Sequence, residues 1–294
     1  MISSILVMST PIILAALGGL LTELAGVLNI ALEGLMLIGA FSAILITEIT
    51  GSILLGSLGA ALAGAGLAYL FGFITLRFKA NIFITGLGAN LFAIGITNYL
   101  SSVLFGTKGV IRFIDFPELF NIGESNIFVY LAVFLTGLSI WLIYKTVFGL
   151  RLRATGFNSS VVQIKGIDSY NIKMKSILIS GALSGLGGAA LSLNLGAYVP
   201  NMTAGRGWIA LVVIYLGRKH PLGIFIISIF FAGAVYFSNA AQGIFQIPAD
   251  LLLGFPYLIT FLAMIIFSIL NNKPKAGWKQ ASCSPMSRTG RTKS

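Results

Sequence analysis

"GVLNIALEGLMLIGAF", residues 26–41, is apolar almost throughout, yet it carries Asn29 and Glu33. About 20 apolar residues in helical form cross a bilayer, so the run reads as the middle of a transmembrane segment. A carboxylate at that depth is costly, and is retained where it faces a bundle interior or water and finds a partner. On one continuous helix, Asn29 sits four residues before Glu33 on the same face. The stretch therefore separates a plain lipid anchor from a working membrane machine.

Composition supports the membrane reading. The 294 residues are 57% hydrophobic and 9% charged, with a mean hydropathy of +0.96. Soluble domains carry about 25% charged residues, so this chain has too few polar groups to cover a water-facing surface. Its 35 glycines suit bilayer helices that pack closely through small residues. The net charge of +11 does not point to nucleic acid, because the cations fall between apolar runs. Cys283 is the single cysteine and His220 the single histidine. Neither belongs to a metal-binding pattern, and His220 reads as a solvated loop residue. No Lys or Arg precedes the first apolar run, which argues against a cleaved signal peptide.

By the length requirement there are about nine candidate segments, near 2–21, 24–47, 52–76, 82–105, 126–148, 176–195, 203–217, 221–243 and 250–271. The segment 203–217 is short, and reads as tilted or broken. The runs lack the two-residue alternation of barrel strands. The expected architecture is an all-α polytopic membrane protein of about nine helices, between eight and ten. Residues 1–272 form the membrane domain, and 273–294 a disordered basic tail. With the N-terminus outside and the C-terminus cytosolic, sixteen cations fall inside and only Lys108, Arg112 and Arg206 outside, a strong positive-inside bias.

Two loops stand out. The outer one, 106–125, reads "GTKGVIRFIDFPELFNIGES"; it is mildly acidic and is either a connector or a docking surface. The inner one, 149–175, contains "GFNSSVVQIKGI" at 156–167. Asn158 is a good N-cap, because its side-chain oxygen accepts a free backbone N–H. Gly166 is a good stop, because it tolerates the left-handed conformation. Val161, Val162 and Ile164 lie between them. A helix this short is marginal alone in water, so it packs on its own protein, on lipid headgroups or in the groove of a cytosolic partner.

Asn90, Asn98, Asn194, Asn239 and Gln242 are further amides at membrane depth, each most simply an interhelical hydrogen-bonding group. Arg206, in "TAGRGWIALVVIYLG", is the expected partner of Glu33. That stretch and the opening one each start with small residues and a polar group, then turn apolar. They run in opposite directions in the expected topology, which suggests an inverted repeat with polar groups near the midplane. No G-x-x-x-x-G-K-[ST] stretch occurs, so no P-loop supplies ATP hydrolysis from this chain, and no cofactor is expected in it.

"PIILAALGGLLTELAGVLNIALEGLMLIGAFSA", residues 11–43, resembles the opening of permease subunits of ABC importers for nucleosides and simple sugars. That group is related to the ribose and branched-chain amino acid permeases. The resemblance rests on Pro11, Gly18, Gly19, Glu23, Gly26, Val27, Asn29, Ile30, Leu32, Glu33 and Gly34. The inner loop is similar through Gly156, Asn158, Gly166 and Ile167, with Ser159 and Val161–Val162 where the family pattern has Pro and Ala-Ala. "SGALSGLGGAALSL" and "GRGWIALVVIYLGRKHPLG" extend the similarity across about residues 8–270. The resemblance implies a second permease subunit, identical or different. It also implies a cytosolic ATP-binding subunit docked on Asn158–Ile167 and an extracytoplasmic substrate-binding lipoprotein, all in a bacterial inner membrane. Asn29, Glu33, Asn90 and Arg206 would line the pathway or tie its helices. A ribose-like sugar or riboflavin is the alternative cargo; an ion-coupled carrier acting alone, or a channel, is the alternative class.

Overall fold

A computed structural model describes residues 2–107, 109–112, 121–122 and 125–245 of the chain, with side chains as far as 238. It is a helical bundle. Ten helices follow in order: α1 (Ile2–Leu24), α2 (Leu32–Thr50), α3 (Ile53–Arg77), α4 (Ile82–Phe105), α5 (Ile127–Lys145), α6 (Val147–Phe157), α7 (Ser159–Ile164), α8 (Ser169–Leu195), α9 (Arg206–Leu216) and α10 (Pro221–Phe245). Four two-residue strands complete it: β1 (Ile111–Arg112), β2 (Asn121–Ile122), β3 (Ser125–Asn126) and β4 (Ala197–Tyr198). They form two antiparallel pairs, β1 with β4 and β2 with β3.

Seven of the helices are long and apolar enough to cross a membrane, so the chain is a multi-pass membrane protein. Helices satisfy every backbone group within one segment, which lipid requires. Their ends carry local signals. Asn81 Oδ1 accepts from the amides of Phe83 and Ile84 at the start of α4. Asp168 caps α8 through the Tyr170 amide.

α8 is the axis of the bundle, packed against α1, α2 and α3. Small residues permit this approach. A Cβ at Gly39 or Gly64 would strike the backbone of α8 at Gly185 or Gly181, and one at Gly188 would strike the Met36 carbonyl of α2. The stretch "SGALSGLGGAALSL" is thus the contact surface for three helices. Burial divides the bundle accordingly: in the apolar 18-residue stretches of α1 and α8, 78% and 72% of the residues are buried, against 22% in that of α4, which shows Phe83, Leu91, Tyr99 and Val103 at its surface.

Three expectations change. The segment 24–47 is not continuous. Gly26, at φ +77°, unwinds α1, and α2 begins only at Leu32, so Asn29 lies in the intervening turn and Glu33 in the first turn of α2. The two therefore do not share a helical face. Residues 203–217 give α9, eleven residues long. At 1.5 Å per residue that is about 16 Å, half of a hydrocarbon core of about 30 Å, so α9 is a half-crossing. The inner loop is mostly helix, because α6 occupies 147–157 and α8 starts at Ser169. The segment 250–271, the tail with Cys283, and Asp115, Pro117, Glu118 and Glu124 lie outside the described residues.

Candidate functional site

The break between α1 and α2 meets the start of α9 inside the bundle. The first amides of a helix have no partner within it and form its positive end. Glu33, 8% exposed, supplies both needs for α9. Its Oε1 accepts from the Gly205 amide at 2.8 Å and its Oε2 from the Gly207 amide at 2.7 Å. Only glycine leaves room for this. A Cβ at Gly207 would lie 2.6 Å from Glu33 Cα and 2.8 Å from its Oε2.

α2 is capped from another helix in turn. Asn90 Oδ1, on α4, accepts from the Gly34 amide at 2.8 Å, and its Nδ2 donates to the Ile30 carbonyl at 3.1 Å. Asn29 closes the turn locally, its Oδ1 accepting from the Ala31 amide at 3.1 Å. Its Nδ2 donates to Ser180 Oγ on α8 at 2.9 Å. Glu33, Asn90 and Asn29 thus join two broken helix starts to α4 and α8. The two starts run apart. α2 leads to Phe41, whose ring meets Tyr198 edge-on at 5.2 Å. α9 leads the other way, to Lys219, paired with Glu23 at the end of α1 at 2.7 Å.

Arg206 is beside Glu33, as expected, but the contact differs. The carboxylate takes the amides on either side of Arg206, while the guanidinium Nη1 donates to the Met202 and Thr203 carbonyls at 3.0 and 3.3 Å. Those two carbonyls precede α9 and draw the guanidinium back along its own chain. The remaining amides separate. Asn194 Oδ1 accepts from Asn126 Nδ2, and Asn98 opens onto a surface cavity. Asn239 and Gln242 have side chains outside the described region.

The second element is the short helix α7. Asn158 Oδ1 accepts from the Ser160 and Val161 amides at 3.1 and 3.2 Å. Gly166 turns the chain at φ +75°, and Ile167 N–H then bonds the Val162 carbonyl at 3.2 Å. Val162 is buried, and Ser169 Oγ donates to the Ser159 carbonyl at 3.0 Å. The other face is free: Phe157 is 94% exposed and Ile164 85%, with Val161 exposed between them. α7 is therefore held from below and apolar above.

α7 is also tied to the junction. Gly156, two residues before Asn158, packs on the α1–α2 turn so closely that a Cβ there would strike the Leu24 carbonyl. Beside it, Arg153 lies over the Tyr144 ring at 5.3 Å, and Tyr144 stacks on His220 at 5.5 Å. His220 Nδ1 accepts from the Leu222 amide at the start of α10, so this half-exposed loop histidine also caps a helix. Sequence reasoning missed Ser180 and the Gly205 and Gly207 amides. The G-R-G spacing at 205–207 is the signal that marks them.

Asn158→Ala removes the cap of a six-residue helix, worth about 1 kcal/mol. The expected outcome is normal folding but a solute flux lowered several-fold. Flux at the normal rate would show that order in α7 does not matter.

Residues 1–272 match the model of the permease component of branched-chain amino acid transport systems. A guanosine ABC transporter permease of Bacillus subtilis is 32% identical, over 92% of each chain. A nucleoside ABC transporter permease of Lactococcus lactis is 29% identical over 94% of each. A putative glucose ABC transporter permease of Haloferax volcanii is 31% identical over 72% of this chain and 69% of its own. No solved structure gives a significant match. With the start of a full-length helix and that of a half-length one joined inside the helical bundle, and a family match over nearly its whole length, the chain belongs to the permease components of the branched-chain amino acid transport family.

Proposed function

We propose that this chain is the membrane-spanning subunit of an ATP-driven importer that carries a nucleoside-type substrate through a bacterial cytoplasmic membrane. The observation that carries the reading is α7: a capped, anchored helix that, with Phe157 at the end of α6, presents Val161 and Ile164 to solvent. Apolar side chains so placed fit a groove in a partner. The nucleoside assignment follows from the two relatives that match over more than nine-tenths of the chain.

Orientation follows the cations. Arg77, Lys79, Lys145, Arg151, Arg153, Lys165, Lys173, Lys175, Arg218 and Lys219 belong to the cytosolic side, with the N-terminus outside. α7 then faces the cytosol and a dimer of ATPase subunits. A second permease subunit completes the pathway, and a binding lipoprotein delivers cargo from outside. The diverging starts of α2 and α9 support an inverted repeat.

In this mechanism the ATPases close on nucleotide and displace α7. Gly156 passes the displacement to the α1–α2 turn, which leads directly to Asn29 and Glu33. Glu33 holds the start of α9, so α9 moves with that turn. Two packed arrangements of these elements give outward and inward states. This chain makes and breaks no covalent bond.

The decisive experiment is uptake by vesicles holding the reconstituted complex, with labelled nucleosides, ribose and riboflavin offered separately. ATP-dependent nucleoside accumulation is expected. Uphill movement of solute by this chain alone would instead establish a secondary carrier. A companion test is Ile164→Asp, which places a charge in the apolar contact. The ATPase subunit should no longer co-purify, while the bundle folds normally.

A further inference from the structure

α4 is the least covered of the long helices, and one of its faces is unlike a lipid-facing surface. Near its C-terminal end, Asn98, Tyr99 and Ser102, together with Pro200, line a cavity of about 470 Å³. Small-molecule sites occupy roughly 300–1,000 Å³. The Asn98 amide and the Tyr99 and Ser102 hydroxyls make no hydrogen bond among the described residues. An amide turned unpaired toward hydrocarbon is costly, so this surface faces water or a polar ligand. The hydroxyl of Ser101, next along α4, is buried and also without a hydrogen-bond partner among the described residues.

The same face stays open farther down the helix. Gly88 and Gly95 precede Ser102 at intervals of seven residues, which aligns all three. Nothing lies within 4 Å of the place a side chain would take at either glycine. The glycines of α8 differ, because there the space is filled by neighbouring backbone. Gly88 and Phe92 border a second, apolar cavity of about 550 Å³ between α3 and α4. α4 thus carries a cavity lined by three polar side chains near one end and an open apolar groove below it.

We infer that this face of α4 is the wall this subunit contributes to the transport pathway, and that Asn98, Tyr99 and Ser102 form an entry subsite for a nucleoside. The inference rests on the importer reading above, whose orientation puts the cavity at the outer end of α4. The Tyr99 ring, 65% exposed, offers a flat face for a base, since base–aromatic stacking tolerates any base. Asn98 both donates and accepts, which matches the paired donors and acceptors on a base edge. Ser102 does the same for a ribose hydroxyl. The apolar groove below holds the ligand less tightly and lets it move on.

The test uses the full reconstituted complex. Wild-type uptake is measured first, because a complex that carries no nucleoside overturns the importer reading and the ligand class with it. Where wild type carries nucleosides, Asn98→Leu should raise the KM for uptake about tenfold, the cost of a polar group left without its partner. Tyr99→Leu should raise it similarly, while Tyr99→Phe, which keeps the ring and loses only the hydroxyl, should raise it less. A variant that does not assemble is replaced by Ser102→Cys in a Cys283→Ser background. Nucleoside should slow its labelling by an impermeant thiol reagent at least several-fold. Unchanged KM in both variants, or labelling indifferent to nucleoside, overturns the subsite and leaves the importer reading standing.

Discussion

Replacing Glu33 by Ala should abolish most transport and lower the melting temperature of the purified complex by several degrees. Among the described residues the carboxylate is the acceptor for the Gly205 and Gly207 amides, at 2.8 and 2.7 Å. Each buried donor left unsatisfied costs about 1–3 kcal/mol, so the two together cost about 2–6 kcal/mol. The loss of negative charge at a helix start adds about 0.3–2 kcal/mol. Every 1.4 kcal/mol taken from the populated working state is about a tenfold drop in rate. Glu33→Gln separates shape from charge. The amide keeps one acceptor but turns its NH2 toward the second N–H, so an intermediate phenotype is expected. An alanine variant with wild-type melting and wild-type flux would remove Glu33 from any role in joining α2 to α9.

The second large effect is steric. Gly188→Val should reduce the folded yield in membranes to about a tenth or less. The added Cβ would strike the Met36 carbonyl and come within 2.7 Å of the Ala40 amide. Those are backbone atoms of α2, which cannot rotate away as a side chain would. Overpacking ordinarily costs about 1–3 kcal/mol, but here α8 and α2 must separate along their length. Gly137→Val is the control. It lies on α5, where no atom stands within 4 Å of the added carbon, and its yield should match wild type. Equal yields from the two variants would mean that α8 does not pack as described.

Local chemistry was legible and long-range chemistry was not. Asn158 and Gly166 bound α7 as their residue types suggest, because capping involves neighbours within three residues. Seven full-length helices followed from hydropathy for the same reason. Glu33 announced itself as a carboxylate needing a partner, and Arg206 was the natural choice by charge. The partners are instead peptide amides 172 and 174 residues away. Any residue type carries such an amide, so side-chain reading overlooks it. The break at 25–31 was hidden similarly, since hydropathy does not change across Gly26 and Asn29. Two glycines around Arg206 were the visible trace, needed because Glu33 comes so near. Asn90 was one amide among five, and only the fold shows that it caps α2.

The close seating of α8 among α1, α2 and α3 also restricts which parts can shift during a transport cycle. Backbones that touch through glycine have no side chains to re-pack, so the bodies of those four helices should keep their mutual spacing while the α1–α2 turn and α9 shift at their edge. α4, α5 and α10 make few such glycine contacts with α8 and are the helices expected to tilt against that body. A spin-label pair across α1 and α8 should keep one separation through the cycle, whereas one from α8 to α4 or α5 should report two.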